Sequence, residues 1–152
     1  YNLVVKIKQC KKRFIPVIIN ILQKSISHST IMLIDKEEKQ MEYFDPEYKK
    51  MTNVVPQKLK LFQEKYFKEY KLIVVTSVTP HEFQDKIDAH SGMCITWCIL
   101  YIHFRLINDE IDFKKVLQGM HKYTTKNTLL KYAKLVSRVV KGYTKGNITI
   151  DN

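Results

Sequence analysis

Four residues in a fixed order, His28, Asp45, Gln84 and Cys94, carry the side chains that nucleophilic acyl transfer requires. A thiolate attacks the carbonyl, an imidazole moves the proton, a carboxylate fixes the imidazole ring, and an amide N–H meets the oxyanion that forms. None of these residue types is informative alone. Their order and spacing give them weight.

His28 and Asp45 flank a segment that reads as a β-hairpin. Ser29-Thr30-Ile31-Met32-Leu33-Ile34 is the first arm, Asp35-Lys36-Glu37-Glu38 the charged turn, and Lys39-Gln40-Met41-Glu42-Tyr43-Phe44-Asp45 the second arm. A turn centred between Lys36 and Glu37 sets Met32 against Met41, Thr30 against Tyr43 and His28 against Asp45. Directly opposed side chains lie roughly 5 Å apart at Cβ, so the carboxylate can hold one ring nitrogen. Pro46 has no N–H to give a ladder, which fits a strand ending at Asp45.

Cys94 opens the run Cys94-Ile95-Thr96-Trp97-Cys98-Ile99-Leu100-Tyr101-Ile102-His103-Phe104-Arg105-Leu106, just after Gly92. The run is apolar nearly all round, which predicts a helix buried on most sides. A thiol in its first turn feels the positive end of the helix dipole and the unpaired N–H groups there, and both favour thiolate. Cys98 lies one turn further in and reads as an inert buried thiol. Gln84 falls ten residues before Cys94 in the polar stretch after Leu72-Ile73-Val74-Val75. From such a loop its amide can aim an N–H at an oxyanion, with the Cys94 backbone N–H as second donor.

This order resembles the cysteine peptidases of the SUMO-protease and adenovirus-protease superfamily, clan CE, and most nearly its members from poxviruses, African swine fever virus and giant viruses. Gly92-Met93-Cys94-Ile95-Thr96-Trp97, then Tyr101, then Arg105-Leu106-Ile107-Asn108 are similar to the Gly-x-Cys-x-x-Trp, Tyr and Arg-Leu-x-Asn of the giant-virus relatives. The resemblance covers roughly His28 to Asn108. It implies Cys94 as nucleophile, His28 as general base, Asp45 as its orienter and Gln84 as oxyanion donor. It also implies a protein or peptide substrate cut after glycine, either a viral structural precursor or a ubiquitin-like conjugate. Ser29 stands where SUMO proteases commonly have Trp after the histidine, and Ile95 where they have Gly after the cysteine. Gln84 is also further from the cysteine than is usual there.

The whole chain has 152 residues and 45% hydrophobic content, enough for one domain over 1–152 with its own core. It begins at Tyr1 rather than Met, as a fragment or processed product would. Cys10, Cys94 and Cys98 form no convincing disulfide framework, which points to a reducing compartment and away from secretion. A viral member of the resembled group would work in the host cytoplasm or the virion. No signal peptide or membrane-spanning run is visible. The net charge of +11 invites nonspecific DNA association by counterion release, although the lysines are scattered. Cys94, Cys98, His90 and His103 make a zinc set on paper, but neither Cys-x-x-Cys nor His-Glu-x-x-His occurs, and the expectation is no metal and no cofactor.

The remaining elements must position these side chains. Phe14 to Leu22 reads as a buried strand, Pro56 to Tyr70 as a helix, and Leu72 to Thr76 as a strand. Asp109 can cap a helix with Phe113, Val116, Leu117 and Met120 inward. A last helix from about Thr128 to Lys141, with Leu129, Ala133, Val136 and Val140 inward, is expected to end at Gly142. The sum is an α+β domain, a small mostly antiparallel sheet with helices packed on it and a central helix that starts at the nucleophile. A basic binding module on the same scaffold, without catalysis, is the rival expectation.

Overall fold

The computed structural model describes residues 2–23, 26–47, 54–75 and 93–144. Asp35 sets the hairpin on which the site is built. Its carboxylate accepts the N–H groups of Glu37 at 3.0 Å and Glu38 at 3.2 Å, a side-chain mimic of a backbone turn. Lys39 then takes a left-handed backbone, with φ of 49°, so that the chain can return. Strand β2 (Ile26–Asp35) and strand β3 (Gln40–Phe44) run antiparallel from this turn. Met32 faces Tyr43 and Ile34 faces Met41, rather than Met32 facing Met41. The loop is centred one residue later than symmetry predicts, because the Asp35 cap and the Lys39 conformation hold it there.

Strand β1 (Phe14–Gln23) pairs antiparallel with β2 over its whole length, and β4 (Lys71–Val74) runs parallel to β3. The sheet order is β1-β2-β3-β4. β1 is therefore an edge strand and not a buried one, with Ile18 and Leu22 exposed. A continuous apolar run cannot reveal that one strand edge has no neighbour. β4 needs a crossover because parallel pairing cannot be closed by a tight turn. Helix α2 (Val54–Tyr66) lies between β3 and β4 in the chain.

Side-chain alternation along β2 divides the core. Ile31 and Leu33 join Phe44 against helix α3 (Cys94–Ile107), with Trp97, Cys98, Leu100 and Tyr101 packed there. Helix α4 (Phe113–Tyr123) adds Val116, Leu117 and Met120, and helix α5 (Lys126–Thr144) adds Leu129. On the other face Met32, Ile34 and Met41 meet Phe67, the α2 residues Leu59 and Phe62, and Ile7 of helix α1 (Asn2–Gln9). The sheet thus separates α1 and α2 from α3, α4 and α5, and the expected α+β architecture is the one observed. α1 has no counterpart in the sequence expectations.

Four helix boundaries depart from their signals. Asp112, not Asp109, caps α4, accepting the Lys114 N–H at 2.8 Å. Asp109 instead pairs with Arg13 at 3.3 Å. α5 starts earlier than Thr128, because Thr125 and Thr128 exchange side-chain bonds with each other's N–H at 3.2 and 2.8 Å. This reciprocal cap satisfies two orphan donors of the first turn. Gly142 lies inside α5, which runs to Thr144. α2 ends at Tyr66, short of Tyr70.

Candidate active site

β3 stops at Phe44 while β2 extends back to Ile26, so among the described residues the first half of β2 is paired with β1 alone. The open edge at Ser29 is used by α3. The Cys98 thiol donates to the Ser29 carbonyl at 3.4 Å, and the Ser29 N–H favours the Cys94 thiolate. Cys98, one helical turn after Cys94, therefore fastens α3 to the residue that follows His28. That contact fixes how the Cys94 sulfur meets the imidazole.

His28 and Asp45 are not opposed in the register that forms. Counting past the last pair, Ile31 with Phe44, sets Asp45 level with Thr30, a diagonal neighbour of His28. A slip of two residues preserves the face of the sheet, whereas a slip of one would have reversed it. A diagonal neighbour is within reach of a side chain as long as histidine. The His28 Nε2 to Asp45 Oδ1 distance is 2.7 Å. Asp45 is itself held: Oδ1 accepts the Glu47 N–H at 2.8 Å and Oδ2 accepts the Tyr43 hydroxyl at 3.3 Å. With Nε2 on the carboxylate, Nδ1 is left for the hydrogen bond that the ring makes with Cys94.

The charges follow from this geometry. Burial opposes the protonated ring, but the Asp45 and Cys94 hydrogen bonds and the Asp45 and Glu47 charges outweigh it and raise the His28 pKa from 6.5 to about 10. Burial likewise opposes the Cys94 thiolate. The His28 hydrogen bond, the Ser29 N–H, the His28 charge and the Ile95 N–H prevail and hold the thiol below its ordinary range. The two shifts agree in direction, each partner favouring the charged form of the other. Met93, which precedes α3, offers no side-chain cap, so the helix N-terminus presents its own N–H groups to the sulfur. Cys98 has the opposite fate, since burial and then the Cys94 and Asp45 charges push its thiol well up. The two thiols, one helical turn apart, are biased in opposite directions.

His28, Asp45 and Cys94 are thus brought together, all buried, with Cys94 keeping the largest exposure of the three at 7%. Gln84 lies outside the described residues. Glu47 was not singled out from the sequence, yet its Oε2 lies 3.7 Å from His28 Nδ1. Arg105 and Tyr101 serve the scaffold. Arg105 grips Glu42 with two bonds of 3.0 and 2.9 Å, and the Tyr101 hydroxyl donates to Glu42 at 2.6 Å. Arg105 also donates to the Ile111 carbonyl at 2.8 Å. These contacts tie β3, α3 and the turn before α4 into one unit behind the site.

A small mixed sheet, a hairpin that delivers His28 and Asp45, and a buried helix that begins at a cysteine define the fold for comparison. It is similar to the structure of the Chlamydia trachomatis effector protein ChlaDUB1, with a TM-score of 0.56 and 12% identity over 91% of this chain. The chain spans 59% of the length of that protein. No family model matches the sequence, nor does any curated protein. The likeness is one of fold, in the α+β class described above.

Proposed function

We propose that this chain is a thiol hydrolase of peptide or isopeptide bonds, with Cys94 as nucleophile, His28 as acid and base, and Asp45 as the group that orients His28. The observation that carries this reading is the imidazole held at 2.7 Å from Asp45 while it hydrogen-bonds a cysteine whose thiol is biased to thiolate. In the proposed cycle the Cys94 sulfur attacks the carbonyl carbon. The His28 proton passes to the leaving nitrogen, and water then cleaves the thioester. The Cys94 N–H, in the first turn of α3, and the Gln84 amide stabilise the oxyanion.

The substrate proposed first, by the resemblance to viral clan CE peptidases, is a precursor protein cut after glycine, in the host cytoplasm or the virion. The similarity to ChlaDUB1 favours a second reading, removal of a ubiquitin-like protein from its conjugates. Both use the same site, and both need the reducing surroundings in which the three free cysteines persist.

A glycine-ended peptide electrophile tests the proposal. Stoichiometric labelling that is lost in Cys94→Ala and kept in Cys98→Ala supports it. Cleavage of ubiquitin-like fusions rather than Gly-x peptides selects the second substrate. An unlabelled protein that binds duplex DNA with steep salt dependence refutes the hydrolase and leaves a basic binding module.

A further inference from the structure

Glu47 lies beyond the end of β3 at Phe44, in a turn and not in the ladder, and the turn brings it back to His28. The intervening turn is built to keep it there. Asp45 accepts the Glu47 N–H at 2.8 Å, an Asx-type turn in which Pro46 restricts the backbone. The Glu47 carboxylate then lies 3.7 Å from His28 Nδ1, the ring nitrogen on the side of the thiol. Its side chain is 18% exposed against 2% for Asp45, so it reaches the ring from the more open side of the site.

We propose, resting on the hydrolase reading above, that Glu47 is a positioning residue of the site: a second carboxylate that holds the His28 ring from the Nδ1 side and favours its protonated form. The groups facing His28 make the need for it plain. From the turn after β3 come Asp45 and Glu47, with the Tyr43 hydroxyl of β3 behind Asp45. From α3 comes Cys94, with Cys98 one turn further in. From β1 comes Ile21, which is apolar. Before the reaction, the ring's proton is balanced by Asp45 and the Cys94 thiolate. Once Cys94 carries the acyl group its negative charge is gone, and Glu47 is the anion left on that side of the ring. In the second half of the cycle, water oxygen bonds to the acyl carbon and a water proton moves to Nδ1. The C–S bond then breaks with its electron pair returning to sulfur. A neighbouring carboxylate makes Nδ1 more basic for that step.

The test uses the full chain as Cys94→Ser, which removes the thiolate and leaves the two carboxylates. The imidazole is followed by NMR with labelled histidine, and the His28 signals are assigned by their loss in His28→Gln. Glu47→Gln keeps the backbone N–H that Asp45 accepts and removes only the charge. Glu47→Gln and Glu47→Ala, each added to Cys94→Ser, are expected to lower the His28 titration midpoint by about one pH unit or more, the size of effect an opposite charge at this range produces. A midpoint that stays within about 0.3 pH unit of the parent in both variants overturns the assignment. Failure here is distinguishable from failure of the hydrolase reading, because the latter appears as absent labelling of Cys94 in the otherwise unaltered chain.

Discussion

Replacing Asp45 by Asn isolates the charge behind His28 from the shape that holds it. The side-chain oxygen of Asn can still accept from Nε2 and from the Glu47 N–H, the bonds that measure 2.7 and 2.8 Å, and the Tyr43 hydroxyl can turn to accept from the amide. Ring position is kept and the negative charge is lost. A hydrogen bond to a charged group contributes about 1.5–3 kcal/mol, against roughly 0.5–1.5 for a neutral one. The difference of about 1–2 kcal/mol corresponds to a shift of about one pH unit, and the lost Coulomb attraction in this buried site adds to it. Less stable imidazolium means less thiolate. The pH midpoint for alkylation of Cys94 by iodoacetamide, a property of the coupled pair, is expected to rise by about one to two units. Below the midpoint the rate then falls about 10- to 100-fold in Asp45→Asn, and it recovers toward the parent value as the pH is raised. Asp45→Ala, which also frees the ring, is expected to recover less. An Asp45→Asn profile that overlays the parent would refute the reasoning, because the thiolate would then owe nothing to the carboxylate.

The buried triad behind the site gives a stability prediction. Arg105→Met strands the Glu42 carboxylate, 1% exposed, with the Tyr101 hydroxyl as its remaining side-chain bond among the described residues, and is expected to cost about 3–5 kcal/mol in urea unfolding. Adding Glu42→Leu removes the stranded charge and is expected to restore a large part of the loss. No recovery in the double variant would show that packing, not charge, dominates there. The pH dependence of stability follows from the His28 pKa, raised from 6.5 to about 10. The folded state holds that proton more tightly, so its contribution is complete below about pH 6.5 and is lost as pH rises through 10. Cys94, whose folded pKa is lowered, titrates with the opposite sign, so the comparison is made in Cys94→Ser: its unfolding free energy is expected to fall between pH 7 and 10 more steeply than that of Cys94→Ser with His28→Gln. Parallel curves would argue against the ion pair.

The parts of the site that were legible in the sequence are those fixed by local chemistry. Cys94 could be placed because an apolar run of helical length begins at it, and His28 and Asp45 because a charged turn separates two alternating arms. Face survived an error of register. A pairing off by two residues still puts both side chains on one side of the sheet, so the contact was anticipated although the opposed pair was not. Glu47 was missed because its approach to His28 is made by the Asx-type turn after β3, which no register count describes. Only the Asp35 cap and the left-handed Lys39, neither of which carries an Asn-Gly or Asp-Gly signal, move the turn by the residue that matters. Ser29 was illegible for another reason. Its role belongs to its backbone N–H and carbonyl, which are free because β3 stops at Phe44. Glu42 and Arg105 stand 63 positions apart, and no periodicity links them. The features that escape the sequence are thus backbone edges and long-range ion pairs, and those are the contacts that gather His28, Asp45 and Cys94 into a single buried arrangement.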